Sequence, residues 1–251
     1  MVLLALGMHP SFCAEATLPS FRLDQSTLST SRQLIVVITD SWKSVEGRLW
    51  RFDRTGEAAS WVLRDRPWRI VVGRNGMGWG IGEHGGPPPN AVRVKCEGDG
   101  CAPAGIFSLV EAFGKRSMKA ARITRFPYRQ LTSTMRGVDD PRSRYYNRIV
   151  DQVQIGQPDW QSAERMLRKD PLYDWGIVVA HNWKPYHARG SCIFLHTWKG
   201  PKAGTAGCTA MPEDRMISLA RWLDRAKKPK LVQFPSEVYR RLQRQGRLPE
   251  R

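Results

Sequence analysis

The chain has 251 residues, 41% of them hydrophobic and ten of them Trp, a composition that excludes intrinsic disorder and suffices to bury one substantial core. Lys and Arg outnumber Asp and Glu by 40 to 23, and a net charge of +17 draws the protein toward anionic polymers. No zinc finger, RNP aromatic motif or basic heptad accompanies that charge, which argues against nucleic acid and for an anionic cell wall or membrane surface.

Val2 to Met8 is apolar and Ala14-Glu15-Ala16 has the small-x-small form of a signal-peptidase site, so residues 1–16 read as a signal peptide. Its removal leaves one domain over 17–251, exported to the periplasm. Leu34 to Thr39 (LIVVIT) is a buried strand ended by an Asp-Ser turn signal. Short strands follow at Gly47–Asp53, Trp61–Leu63 and Arg69–Gly73. Gly76, Gly78, Gly80 and Gly82 have nucleotide-loop spacing, but no helix pattern follows them, so they suit turns and close strand packing instead. Gly105–Leu109 is a further strand. Residues 115–175 are richer in charge and form an excursion, with a Ser-capped helix expected over Ser162–Leu167. Strands at Trp175–His181 and Ser191–His196 each end in a histidine. Glu213–Asp224 has the apolar spacing of an amphipathic helix, Lys230–Phe234 is a last strand, and residues 236–251 form a basic, solvated terminal helix.

Four cysteines remain once Cys13 leaves with the signal. Cys96 and Cys101 flank Glu-Gly-Asp-Gly and are disulfide candidates in an oxidising compartment. Zinc is disfavoured because no second ligand pair matches them, so no metal is expected. Cys192 lies in an apolar strand as a buried small hydrophobe. Cys208 differs, because Gly204-Thr205-Ala206-Gly207 leads into it. A nucleophilic cysteine needs a base and a turn that aims backbone N–H groups at a developing oxyanion. Gly207 and Cys208 are the oxyanion donors expected here, with Gly207 free to take backbone angles closed to other residues. His196, twelve residues earlier at a strand end, is the expected base.

The segment Ile193-Phe194-Leu195-His196-Thr197, followed by Thr205-Ala206-Gly207-Cys208, resembles the catalytic strand and Ser-x-Gly-Cys turn of the L,D-transpeptidase, or YkuD, family. Ala102-Pro103-Ala104-Gly105-Ile106-Phe107 resembles that family's Thr-Pro-x-Gly-x-Phe strand entry, and the likeness spans about residues 33–234. The resemblance implies a mainly β fold, a flattened antiparallel barrel or sandwich, with a partly helical insertion and a helix after the catalytic Cys. It implies crosslinking of peptidoglycan peptide stems, donor and acceptor, through a thioester on Cys208. His196 would take the thiol proton, the Thr197 carbonyl would hold the imidazole, and no cofactor is needed.

The chain departs from the family pattern at Ala206 and Ala210, where most relatives carry His and Arg. Replacement substrate contacts are expected from Arg142, Tyr145, Tyr146 and Asn147 in the excursion, and from Trp198. His181 is either a further pocket residue or a satisfied histidine at the core edge. Two donor bonds join an L to a D centre in a peptide stem, so both 3–3 and 1–3 crosslinks are open. Hydrolysis by the same Cys, as an L,D-carboxypeptidase or amidase, is the alternative; a non-catalytic wall-binding protein is the other.

Overall fold

The computed structural model describes residues 18–23 and 25–250; the expected signal peptide lies outside the described residues. The strands are β1 (Gln33–Thr39), β2 (Glu46–Asp53), β3 (Val62–Leu63), β4 (Trp68–Val71), β5 (Met77–Trp79), β6 (Ala102–Gly114) and β7 (Tyr128–Gln130). They continue with β8 (Met135–Val138), β9 (Arg148–Asp151), β10 (Ala163–Arg165), β11 (Trp175–Val179), β12 (Phe194–Thr197), β13 (Thr209–Met211) and β14 (Lys230–Pro235). The helices are α1 (Met118–Ala121), α2 (Gln152–Ile155), α3 (Glu213–Trp222) and α4 (Ser236–Arg244). None is long and apolar enough to cross a membrane.

The main sheet closes into a barrel. Its path β1-β14-β6-β11-β12-β13-β4-β2 returns to β1 through an antiparallel β1–β2 pairing, and β3, β5 and β7 add to its margins. Most neighbours are antiparallel; β1–β14 and β12–β13 are the parallel pairs within the ring. β1 is buried at every position, which explains its unbroken apolar run: a strand covered on both faces has no polar side to show. The outer cover comes from α4 on β1 and β14, while α3 packs on β11 and β12. The terminal helix is therefore no solvated tail. Val238, Tyr239 and Leu242 are buried in the core, and the Tyr239 hydroxyl donates to the Pro249 carbonyl at 2.8 Å.

The spaced glycines serve close packing over β6. A Cβ on Gly80 would lie 2.7 Å from Pro103 Cβ and 2.9 Å from His181 Nδ1, and one on Gly82 would lie 2.3 Å from the Ile106 carbonyl oxygen.

The excursion carries a separate three-stranded sheet, β10-β8-β9. The helix expected at Ser162–Leu167 is strand β10, pairing antiparallel with β8 from Ala163↔Val138 to Arg165↔Arg136. Its Ala, Glu, Arg, Met and Leu favour helix, but the β8 edge and full burial of Met166 override that propensity. Cys192 also differs from expectation. It precedes β12 with φ +51°, and although buried it is not a strand residue.

No disulfide joins Cys96 and Cys101. Asp99 organises the turn between them, accepting from the Cys96 N–H at 2.9 Å, the Cys101 N–H at 2.8 Å and Lys95 Nζ at 2.5 Å. Cys101 Sγ faces the Asn75 and Asp99 carbonyls, 3.7 and 3.6 Å away.

Candidate active site

β12 and β13 run parallel, with Leu195 opposite Thr209 and His196 opposite Ala210. That register brings Cys208 level with Phe194, whose side chain shares a strand face with His196 by the two-residue period. The loop between them is long enough to carry the chain back for a parallel partner, which is why a twelve-residue separation becomes adjacency. Thr205 pins the returning chain. Its N–H donates to the Val72 carbonyl at 3.0 Å, its carbonyl accepts from the Arg74 N–H at 2.8 Å, and its hydroxyl donates to the Cys208 carbonyl at 2.6 Å.

Gly207 serves differently from expectation. It is not among the residues with positive φ; a Cβ there would come within 3.1 Å of the Cys101 carbonyl, so the lack of a side chain allows close approach. Its N–H donates to Thr205 Oγ1 at 3.1 Å and is thus already engaged rather than free for an oxyanion.

Cys208 is buried, and its sulfur accepts from the Phe194 N–H at 3.3 Å while the thiol faces the Cys192 carbonyl at 3.5 Å. No hydrogen bond joins it to His196. Burial, reinforced by the nearby Glu164 carboxylate, pushes the thiol up to about 12. His196 Nδ1 donates to the Thr197 carbonyl at 2.7 Å, which fixes the tautomer and leaves Nε2 as the basic nitrogen. Burial lowers the imidazole to about 4. Both partners of the pair are therefore neutral at rest. The Tyr173 ring stands edge-on to His196 at 5.4 Å and to Phe194 at 5.6 Å.

Cys208 and His196 line one cavity of about 230 Å³, together with Trp198, Glu164, Arg168 and Tyr173. Ala206 also lines it, and its small side chain leaves the space beside Cys208 open. Among the described residues, no group of three or more His, Cys, Asp or Glu side chains is arranged to hold a metal.

Residues 35–232 match the family model described as YkuD, L,D-transpeptidase catalytic domain. The chain belongs to the L,D-transpeptidase catalytic-domain family. No curated protein and no solved structure gives a significant match. Members act on peptidoglycan peptide stems, and the barrel with few helices is consistent with the L,D-transpeptidase fold.

Within this L,D-transpeptidase domain, the Arg and Tyr cluster of the excursion stands away from the cavity. Arg142 pairs with Asp140 and reaches Gln161, Tyr145 meets Trp160 edge-to-face, and the Tyr146 hydroxyl donates to Glu97. Asn147, at φ +62°, braces the core by donating to the His181 and Asn182 carbonyls and accepting from the Cys192 N–H. Asn147 does line a separate cleft of about 270 Å³ with Cys192 and Trp183, but that cleft contains neither Cys208 nor His196. His181 is fully buried, accepting from the Ile81 N–H at 3.3 Å and bonded through Nε2 to the Arg189 carbonyl at 2.9 Å. It is the satisfied core histidine, and burial lowers it to about 3.

The excursion does reach the L,D-transpeptidase cavity, through residues the sequence reading missed: Glu164, Arg168 and Tyr173. The one usable signal was Asp170-Pro171, which caps a short turn, Pro171–Tyr173, that aims Tyr173 at the site.

Proposed function

We propose that the protein is a peptidoglycan L,D-transpeptidase that crosslinks peptide stems through a thioester on Cys208. The observation that carries this is the shared cavity of Cys208 and His196, with Nδ1 of His196 tied to the Thr197 carbonyl. Because thiol and imidazole are both neutral at rest, proton transfer accompanies attack rather than preceding it. His196 Nε2 takes the Sγ proton as sulfur bonds to the carbonyl carbon of an L-to-D peptide bond. The same proton then passes to the leaving amine as that bond breaks, and the thioester remains. An amine of a second stem displaces Cys208 and completes the crosslink. With Gly207 engaged by Thr205, the Cys208 amide is the oxyanion donor this turn offers. The charge of +17 suits an anionic wall, and a periplasmic location accords with the signal-like start.

The L-Ala to D-Glu bond is included as a donor because Ala206 leaves the wall beside Cys208 small and uncharged. Purified protein incubated with defined muropeptides, read by mass spectrometry, tests the whole scheme. Crosslinked dimers dependent on Cys208 support transpeptidation, and a released fragment beginning with D-Glu supports the 1–3 product. Cleavage without dimers, whatever amine is offered, would make it a hydrolase.

A further inference from the structure

Glu164 lies in β10 opposite Gly137 of β8. A Cβ on Gly137 would meet Glu164 Cγ at 3.2 Å and Cys192 Sγ at 3.2 Å, so the missing side chain makes room for both the Glu164 stem and Cys192, whose carbonyl faces the Cys208 thiol. Glu164 lines the cavity of Cys208 and His196. One of its oxygens accepts from the Tyr173 hydroxyl at 2.9 Å; the other has no hydrogen-bond partner among the described residues. No cation pairs with it. Arg168, the guanidinium of the same cavity, gives its bonds to Asp170 at 2.8 and 2.7 Å. The other ionisable groups acting on Glu164 are Asp139 and Glu97, of its own sign, and its charge also bears on the Cys208 and Cys192 thiols and on Tyr173. The cavity's own cations leave this half-buried carboxylate unpaired: Arg168 acts on it only at a distance while bonded to Asp170, and Lys199, which also lines the cavity, makes no ion pair with it, so the carboxylate beside Cys208 can accept a cation from a ligand.

We propose that Glu164 binds the acceptor amine and takes the first of its protons. This rests on the transpeptidase reading. The acceptor arrives as an ammonium, which has no lone pair to attack with; the donor needs no such group, because His196 moves its proton. The ammonium gives one proton to the Glu164 carboxylate, and the free amine bonds to the thioester carbon. His196 Nε2 then takes a second proton from that nitrogen and returns it to Sγ as the C–S bond breaks. The products are the new amide, the Cys208 thiol and one proton on Glu164, which passes to solvent. Burial raises the Glu164 carboxyl to about 7, which matches it to proton uptake near neutral pH.

The test uses the full chain, a defined donor peptide and a diamino-acid acceptor peptide. Three quantities are followed between pH 5.5 and 9: thioester on Cys208 by intact mass, crosslinked dimer, and hydrolysed donor. In the wild type the ratio of dimer to hydrolysed donor should rise with pH on a limb near 7. In Glu164→Gln aminolysis should fall by about 10²-fold or more while thioester formation falls far less, and the limb should vanish. Tyr173→Phe removes the bond that favours the carboxylate, so it should move the limb to higher pH, and it serves if Glu164→Gln folds poorly. Equal crosslinking by Glu164→Gln and an unmoved limb in Tyr173→Phe would overturn the assignment while leaving the transpeptidase reading intact. Equal loss of acylation and aminolysis in Glu164→Gln would make the residue structural. A wild-type protein that forms no thioester would overturn the transpeptidase reading itself, and the role of Glu164 with it.

Discussion

Iodoacetamide, a small neutral alkylating agent, reads the resting state of Cys208 directly at pH 8. Burial pushes this thiol from 9.0 up to about 12, which cuts the thiolate fraction about 10³-fold, since each pKa unit is a factor of ten. A thiolate of higher pKa is more nucleophilic; with a Brønsted slope of about 0.4–0.5, three units return about 15–30-fold. The net expectation is alkylation about 30–60-fold slower in the native protein than in urea at the same pH, before any loss from restricted access. Peptide-level mass spectrometry over a time course measures both rates in one protein. A carbapenem should still acylate native Cys208, because His196 can take the proton during attack, and His196→Ala should lose that reaction. Native alkylation as fast as in urea, with a pH limb below 8, would mean a preformed thiolate–imidazolium pair and would refute the neutral-pair mechanism.

Cys208→Ala should abolish turnover, whereas Cys192→Ala should remain active and lose at most about 1 kcal/mol of stability for its small cavity, read by urea denaturation. His196→Ala should cost about 10²–10⁴-fold in rate with a modest change in melting temperature. His181→Ala should instead destabilise, because it orphans the Ile81 N–H and the Arg189 carbonyl at roughly 1–3 kcal/mol each, and a normal melting curve would refute that structural role. Acid should unfold the protein early. His84 and His196 are lowered from 6.5 to about 4 and His181 to about 3, so the unfolded chain binds more protons below 6.5 and stability falls as pH drops toward 4. Glu164, raised from 4.5 to about 7, acts oppositely over that range, one carboxyl against three imidazoles. Urea midpoints that do not fall between pH 6.5 and 4 would show that these histidines are not buried in neutral form.

The barrel strands at Leu34–Thr39 and Lys230–Phe234 were legible because continuous β-branched and apolar runs have few other uses, and the helix after Cys208 because its spacing is periodic. Cys208 and His196 were legible as a pair because a Gly-rich turn and a strand-end histidine, two local patterns, fall on the motif of the family the chain resembles. What failed was non-local. Glu164 fell inside the helix expected over Ser162–Leu167, and only the β8 edge and the buried Met166 reveal it as a strand residue lining the cavity. Arg142 and Tyr146 looked like substrate contacts because Asp140 and Glu97, their actual partners, do not stand out in the sequence. The Cys96–Cys101 spacing suggested a bridge, but spacing does not show that Asp99 gathers the turn around its own carboxylate. Val238, Tyr239 and Leu242 were masked by the basic residues around them.

β14 lies between β1 and β6, pairing Leu34 with Lys230 on one side and Ser108 with Lys230 on the other. The two strands it joins are made far earlier by the ribosome, and neither has β14 beside it until the last tenth of the chain appears. Contacts of such sequence separation make folding slow. During synthesis β1 and β6 each present an unpaired strand edge, the surface through which nascent chains aggregate. A chain stopped short of residue 230 would keep Cys208 and His196 but leave the barrel open along that seam, and is expected to collect in the insoluble fraction.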